Sequence, residues 1–164
     1  MNPIVTPMTP DVWETVRRIY EEGIATGHAS FDVEVPDWDA WDRSHLEACR
    51  LVARVAGEIT GWAALSPVSS RCVHTGVAEV SVYVGSGFRG RGVGKALMAE
   101  LVNASERAGI WTLQGGVFPE NAASIALQKA FGFREVGRQE RMGRLNGVWR
   151  DVVLMERRSR VVGT

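Results

Sequence analysis

Apolar residues recur along this chain with two periods, one typical of helices and one typical of strands. The first helical face is formed by Val12, Val16, Ile19 and Tyr20. Thr9-Pro10-Asp11, at the start of this pattern, has the residue types of a helix N-terminus, which predicts a helix running towards Gly27. A second, short helix is expected after Pro36-Asp37, carrying Trp38, Trp41 and Leu46. Residues 26–34 between these helices follow neither period and are predicted to form a loop.

Most of the remaining apolar runs predict strands. The expected strands are 51–55, 58–65, 77–84, 111–117, roughly 133–142 and 148–156. The first two flank Ala56-Gly57 and indicate a β-hairpin. Two further helices are expected, one from Gly92 to a cap at Gly109 and one over 121–131. The pattern therefore predicts a mixed α/β architecture, with a mostly antiparallel sheet and a central strand–loop–helix–strand unit.

Composition narrows the class of protein. The 164 residues suit one domain, spanning 1–164, and 45% hydrophobic with 23% charged residues is ordinary for a soluble protein. Nineteen basic and nineteen acidic residues cancel, which argues against a nucleic-acid partner. The N-terminus has no secretion signal and no apolar run is long enough to cross a bilayer, so we expect a cytoplasmic protein without a membrane partner.

Cysteine and histidine give no support to a metal site. Cys49 and Cys72 have no ligand-like spacing, and two reduced thiols are expected rather than a disulfide. The three histidines are scattered, without a spacing typical of metal ligands. We therefore expect no bound metal.

The segment Arg89-Gly90-Arg91-Gly92-Val93-Gly94-Lys95 links a β-branched strand to a helix and predicts an anion-binding loop. Closely spaced glycines allow backbone N–H groups to turn inward, beside the positive end of the helix dipole. A Walker loop would require glycine in place of Arg89 and Ser or Thr in place of Ala96. A dinucleotide fingerprint would require GxGxxG, whereas the glycines here follow GxGxG. The alternative interpretation is that this segment is a solvent-exposed basic turn that binds no ligand.

The same loop fits the pattern [QR]xxGx[GA] through Arg89, Gly92 and Gly94, and so resembles the coenzyme A pyrophosphate loop of the GNAT acyltransferase superfamily. Other segments are similar to its phosphinothricin and methionine sulfoximine N-acetyltransferase branch, so that the resemblance covers about residues 31–157. They are Phe31, Val77 to Val84, Pro119-Glu120-Asn121 with Ser124, Gly132-Phe133, and Gly147 to Asp151. Within that branch, segments 64–71 and 109–114 look most like arsinothricin-resistance N-acetyltransferases.

The resemblance implies a GNAT fold, with helices flanking a mixed, mostly antiparallel sheet and acyl-CoA bound in a notch beside the central strand. The residues it implies for acetyl-CoA binding are Val82, Tyr83, Val84, Arg89, Gly90, Arg91, Gly92, Val93, Gly94, Lys95 and Asn121. Residues 82–84 would contribute backbone groups to the pantetheine arm. Asn121 also has the sequence position of a helix N-cap, and the two roles are compatible.

Glu79 is a carboxylate within an apolar strand, where an unpaired charge is costly to bury. Its residue type and position leave two interpretations open, an ion pair or water-facing side chain on one hand and a functional group on the other. The resemblance favours a catalytic general base that deprotonates the substrate ammonium directly or through water. The same resemblance gives Glu79 a contact with the substrate.

Two other residues are candidates for substrate binding. Arg71, in the loop before the central strand, has the planar fork that suits a carboxylate, although an ordinary surface position is equally compatible with the sequence. Phe31, close to Glu34 in the early loop, fits a lid over the notch. Many relatives carry Tyr where this chain has Gln128, so no general acid is assigned.

The implied activity is transfer of acetyl from acetyl-CoA to the α-amino group of a small glutamate-like amino acid such as phosphinothricin, arsinothricin or methionine sulfoximine. We expect direct transfer in a ternary complex, because neither cysteine stands in a nucleophile motif. Acetylation of a protein or peptide amine, and a non-catalytic acyl-CoA sensor, are the alternatives. The six tryptophans offer apolar area for a homodimer.

Overall fold

The computed structural model describes residues 2–164. It contains seven strands and four helices within that range. In chain order they are β1 (Ile4–Pro7), α1 (Trp13–Ala25), α2 (Trp38–Ser44), β2 (Leu51–Val55), β3 (Glu58–Pro67), β4 (Val77–Val84), α3 (Val93–Arg107), β5 (Thr112–Val117), α4 (Ala122–Ala130), β6 (Arg134–Leu145) and β7 (Val148–Arg158).

All seven strands form one sheet in the order β1-β2-β3-β4-β5-β7-β6. Neighbouring strands are antiparallel except for β4 and β5, which are parallel and are connected through α3. This arrangement confirms the predicted α/β class and its mostly antiparallel sheet. The parallel pair lies at the centre of the sheet, where the strand–loop–helix–strand unit was expected.

Successive side chains of the central strands point to opposite faces of the sheet, and both faces carry buried apolar residues. One face packs against α3, with Leu65, Ala78 and Leu97 in its core. The other packs against α1 and α2, with Val16, Trp41 and Trp62. Consecutive residues of β4 therefore face opposite layers, and Glu79, Ser81 and Tyr83 share the side of α1 and α2.

The early helices form where the sequence predicts them, with different ends. Residues Pro10–Val12 make a 3₁₀ turn before α1, and the Thr9 side chain contacts Asp11 instead of capping the backbone. Asp37 caps α2 by accepting a hydrogen bond from the Ala40 N–H at 2.8 Å. Leu46 lies beyond the end of α2 rather than on it.

The edges of the sheet extend further than the pattern predicted. β1 was not expected, because four residues ending at Pro7 carry little strand signal and are ordered only through pairing with β2. β6 and β7 are also longer than expected and form a hairpin that ends at Asn146-Gly147, both with positive φ. No helix within residues 2–164 is long and apolar enough to cross a membrane.

Candidate active site

β4 and β5 separate partway along their length. β4 pairs with β3 from Ala78 to Val84, but with β5 only from Val77 to Glu79. β5 continues to Val117 and pairs there with β7 alone. The backbone groups of residues 80–84 that face β5 therefore lack a strand partner, and an open cavity of about 1700 Å³ reaches into the gap. We call this opening the strand gap; Glu79 and Gln114 form its last pair.

The loop after β4 ends at the N-terminus of α3 beside the open end of the strand gap. Gly92 is the N-cap with φ +83°, Gly90 has φ +76°, and a Cβ at either position would meet no atom within 4 Å. No side chain caps this helix, so its first N–H groups are available to a ligand. Arg89 and Lys95 line the cavity at the same end. Free N–H groups, a helix dipole and two cations suit a phosphate or pyrophosphate.

The predicted acetyl-CoA residues divide into two groups in the structure. Those that line the cavity are Val82, Tyr83, Val84, Arg89, Gly90, Gly92, Gly94, Lys95 and Asn121. Arg91 stacks over the Phe88 ring outside the lining, with 5.8 Å between Cζ and the ring centroid. The Val93 side chain belongs to the core, which leaves its backbone N–H as the only group it offers a ligand. An extended gap joined to a phosphate cradle fits coenzyme A.

Glu79 faces the cavity from the apex of the strand gap. Its side chain remains accessible, yet desolvation by the surrounding protein raises the pKa of its carboxyl above the ordinary value. Across residues 2–164 it forms neither a salt bridge nor a side-chain hydrogen bond. The ion-pair interpretation therefore finds no partner here. A cavity-facing carboxylate with a raised pKa has the properties of a proton acceptor.

An aromatic wall borders the cavity on the side of α1. The Tyr83 ring stacks on Trp62 and lies against Tyr20, with 4.9 Å between centroids in both pairs. The Tyr20 hydroxyl donates a hydrogen bond of 2.5 Å to Asp32. Burial raises the pKa of Tyr83 to about 12 and also raises that of Tyr20, so both phenols stay protonated at neutral pH. The wall thus places one carboxylate, Asp32, at the cavity mouth.

The early loop, residues 26–34, covers part of the cavity as predicted for a lid. Phe31 lines the cavity and packs edge-on against Phe118, 4.9 Å between centroids. Arg150 on β7 donates to the Gly27 carbonyl at 2.8 Å and contacts His28 Nδ1 at 3.0 Å. It also donates to Glu120 at 3.2 Å. Arg150 therefore straps the loop to the sheet.

Asn121 takes part in the same attachment. Its Oδ1 accepts from the Ser124 N–H at 3.2 Å, which caps α4, and its Nδ2 donates to the His28 carbonyl at 3.2 Å. The capping role is confirmed. Contact with acetyl-CoA stays a prediction, because both ends of the amide already bind within the chain.

Arg71 does not lie on the cavity wall. It is exposed in the loop between β3 and β4, and within the described chain it forms no salt bridge. The loop leads directly into β4, the strand that carries Glu79. The structure therefore brings together Glu79 and Phe31 but not Arg71.

Gln128 on α4 is buried beside the apex of the strand gap. A Cβ at Gly115, the residue after the last paired position of β5, would lie 2.4 Å from its Oε1. That oxygen is buried and unpartnered among residues 2–164. A primary amide does not titrate, so Gln128 has no proton to give as an acid and no general acid is assigned.

Sequence reasoning missed two residues of the site, Arg150 and His45. Arg150 acts through contacts with residues more than a hundred positions away, which no local pattern reports. His45 follows α2 directly and lines the cavity. Its only sequence signal is a polar residue at a helix end, since the three histidines are not clustered.

Comparison with known proteins agrees with this geometry. The Streptomyces coelicolor phosphinothricin N-acetyltransferase is 36% identical over 122 residues, 71% of each chain. The Salmonella typhimurium L-methionine sulfoximine/L-methionine sulfone acetyltransferase is 31% identical over 146 residues, 86% of this chain and 85% of that protein. A Sinorhizobium meliloti phosphinothricin acetyltransferase, solved with AcCoA, superposes with a TM-score of 0.88 at 27% identity, covering 96% of this chain and 89% of the other.

The family profile for acetyltransferases of the GNAT family matches residues 11–133. The strand gap, the phosphate cradle and an acetyl-CoA-bound structural relative agree with that match, which identifies acetyl-CoA as the cosubstrate. The chain is an acetyltransferase and belongs to the GNAT family.

Proposed function

We propose that this enzyme acetylates the α-amino group of a small amino acid of the phosphinothricin or methionine sulfoximine type. The observation that carries the proposal is Glu79, an unpaired carboxylate with a raised pKa at the apex of the strand gap. Acetyl-CoA supplies an activated thioester when bound. The chain's own contribution is to align an amine with that thioester and to remove the amine's proton.

Direct transfer in a ternary complex follows from the groups available. An ammonium has no lone pair, so Glu79 accepts its proton, directly or through water. The N–C bond then forms, the C–S bond breaks and coenzyme A leaves as a thiolate. The nitrogen loses its second proton as the amide forms, and that proton balances the negative charge on the departing thiolate. The backbone N–H of Val82 or Val84, unpaired in the strand gap, would hold the carbonyl oxygen. Neither Cys49 nor Cys72 lines the cavity, which argues against an acyl-enzyme.

The size of the acceptor is limited by the early loop. Phe31 and the strap through Arg150 close one side of the cavity above Glu79, which favours a small molecule over a peptide. The names of the relatives, phosphinothricin and methionine sulfoximine acetyltransferases, support the same class. Arsinothricin belongs in the test because the sequence resembles enzymes of that type.

Arg71 is proposed to bind the substrate carboxylate. It lies in the loop that enters β4, and binding requires this loop to move over the cavity, whose lining it does not reach here. A planar guanidinium that forms no salt bridge within residues 2–164 is available for a two-pronged contact.

A homodimer is also proposed. The β6–β7 hairpin exposes four large apolar side chains, namely Val136, Met142, Val148 and Trp149. Met142 lines the cavity as well, so a second copy on this hairpin would cover the site from outside. Light scattering of the wild type and of Trp149→Glu tests this, with a monomeric wild type contradicting it.

The function is tested by coenzyme A release from acetyl-CoA with phosphinothricin, arsinothricin, methionine sulfoximine, glutamate and a lysine peptide. We expect turnover with the glutamate-like compounds and mass-spectrometric detection of their N-acetyl products. Glu79→Gln should lower kcat by roughly two to four orders of magnitude. Arg71→Ala should mainly raise the KM of the amino acid.

Two results would contradict the proposal. Turnover only with the peptide would assign the enzyme to protein or peptide amines. Binding of acetyl-CoA without turnover of any amine would instead indicate an acyl-CoA sensor.

A further inference from the structure

His45 lies beside the strand pair that carries Glu79. The N–H of Leu46 donates to the Leu65 carbonyl at 2.8 Å, which fixes the chain after α2 to the end of β3. In the register of β3 and β4, Ser66 is opposite Glu79. The His45 ring meets Trp62 at a right angle, so it lies on the same face of the sheet as Glu79. Both side chains line the cavity.

The orientation of the His45 ring is held by Trp41 and by Ser44, whose hydroxyl oxygen lies 3.0 Å from Nδ1 and donates to the Trp41 carbonyl oxygen. The ring stacks on Trp41, with 4.1 Å between centroids and 17° between planes. Its Nδ1 lies 2.8 Å from the Trp41 carbonyl oxygen. A carbonyl oxygen only accepts hydrogen bonds, so Nδ1 carries the proton and donates it. The other nitrogen, Nε2, is therefore a lone-pair acceptor in the neutral ring.

Nε2 is not used by the protein. Of the groups in residues 2–164, none forms a hydrogen bond with it, and it is not among the buried polar atoms that lack a partner. The atom is therefore accessible from the cavity that His45 lines. On the sheet between Trp62 and Ser66, the facing pair is made of two small residues, Ala64 and Ser81.

Burial keeps this ring neutral. Desolvation lowers the pKa of His45, and the Arg50 guanidinium lowers it further, while the bond to Trp41 and the charge of Asp32 oppose the shift. The other charged and titratable groups around the ring are Asp42, which pairs with Arg50, Tyr20 on α1, and Glu79 and Tyr83 on β4. The site therefore presents hydrogen-bond acceptors, namely oxygens of Asp32 and Glu79 and Nε2 of His45, to a molecule that brings N–H donors.

We propose that His45 binds the acetyl acceptor, with Nε2 accepting a hydrogen bond from an N–H of the amine that Glu79 deprotonates. This inference rests on the proposed function and adds a specificity-determining residue to it. One N–H gives its proton to Glu79, and a second N–H, held by Nε2, sets the direction of the nitrogen lone pair. The role requires His45 to be unprotonated.

Two substitutions separate this role from packing. His45→Asn keeps a donor near the position of Nδ1 for the Trp41 carbonyl but has no atom at the position of Nε2. His45→Gln can place a polar atom near Nε2. Glu47→Gln is the control, because Glu47 is exposed, lies two residues after His45 and is outside the cavity lining. KM values for methionine sulfoximine and for acetyl-CoA are measured for each variant, together with thermal unfolding.

We expect His45→Asn to raise the KM of the amino acid roughly 10- to 100-fold, the effect of removing one hydrogen bond to a charged group. The KM of acetyl-CoA should stay within about twofold, since the hydrogen bond that His45→Asn removes is made with the acceptor alone. His45→Gln should recover part of the loss, and Glu47→Gln should match the wild type. On the acid side, log kcat/KM for the amino acid should fall with a slope of two in the wild type. The slope should be one in both His45 variants, including His45→Gln if the Asn variant fails to fold.

Unchanged KM and an unchanged acid limb in His45→Asn would overturn the inference while leaving the proposed function intact. So would equal losses in both variants that follow their unfolding temperatures. An amino-acid kcat/KM that rises as His45 becomes protonated would also overturn it, by assigning the ring to an anionic group. Wild-type enzyme that acetylates no amino acid would remove the proposed function and this inference together.

Discussion

The guanidinium of Arg150 stacks on the ring of Phe118, with 4.0 Å between Cζ and the ring centroid. The same side chain, only 11% exposed, reaches Gly27, His28 and Glu120. A planar cation thereby joins β7, the segment after β5 and the early loop. The early loop is therefore positioned by Arg150 and Asn121, together with the Phe31–Phe118 ring contact and the hydrogen bond from Tyr20 to Asp32.

We expect Arg150→Lys to loosen the early loop. Lysine has neither the planar face for Phe118 nor the fork for two partners. The KM of the amino acid should rise about tenfold, and hydrogen exchange over residues 26–34 should accelerate. Arg144→Lys is the matched control, because Arg144 stacks on exposed Trp149 without touching the loop. Equal kinetics for the two variants would show that the strap has no functional part.

The raised pKa of Glu79 should determine where kcat/KM for the amino acid falls on the acid side of its pH profile. A base must be ionised to accept a proton, so kcat/KM for the amino acid should fall as pH drops through a pKa above the ordinary 4.5 of glutamate. Glu79→Gln should lose this ionisation together with most of kcat. The control is Glu58→Gln, a change at the exposed start of β3 outside the cavity. An acid limb that keeps the full wild-type slope of two in Glu79→Gln would assign the base to another group, because loss of Glu79 leaves only the ionisation of His45.

Glu79 should also lower the stability of the folded enzyme at neutral pH. The pKa of its carboxyl is higher in the folded than in the unfolded chain, so the folded state binds more protons. Stability from this group is greatest below the ordinary pKa and is lost as pH rises through the folded pKa. Glu79→Gln should therefore unfold at a higher temperature than wild type at pH 8, and the difference should shrink towards pH 4. A lower unfolding temperature at pH 8 would contradict the desolvation of this carboxyl.

Gly92 is expected to be required for the cradle. At φ +83° a side chain is strained even though its Cβ would meet no atom. Gly92→Ala should destabilise the fold by about 1 kcal/mol and weaken acetyl-CoA binding in calorimetry. Gly87→Ala is the control in the same loop, since Gly87 is equally open but has no positive φ. If the two variants bind acetyl-CoA with equal affinity, the positive φ of Gly92 is not required for cofactor binding.

The sequence predicted the parts of the site that are encoded locally. β4 is a run of β-branched residues and the cradle is a run of glycines and arginines, so strand, loop and helix follow from neighbouring positions. The resemblance added Glu79 and the acetyl-CoA notch. The family, the fold and the cosubstrate are confirmed, whereas the roles of individual residues stay predictions.

The parts that the sequence did not predict depend on distant contacts. β1 is a strand only because β2 offers it an edge. His45 enters the cavity because Leu46 binds β3, and its tautomer depends on the Trp41 carbonyl. Arg71 is the opposite case. Its residue type suits a carboxylate and made it a candidate from the sequence, but it lies on a loop that does not reach the cavity wall.

The three residue pairs that join β4 to β5 have a mechanical consequence. Within residues 2–164 they are the only strand pairing between a group of four strands, β1 to β4, and a group of three, β5 to β7. A ligand bound in the strand gap would lie between the unpaired edges of β4 and β5. Its hydrogen bonds would then connect the two groups of strands where the strands themselves do not pair. Bending of one group against the other should be stiffest with cosubstrate bound and softest after coenzyme A leaves. We therefore expect the sheet to be more rigid during the part of the catalytic cycle in which the cosubstrate is bound.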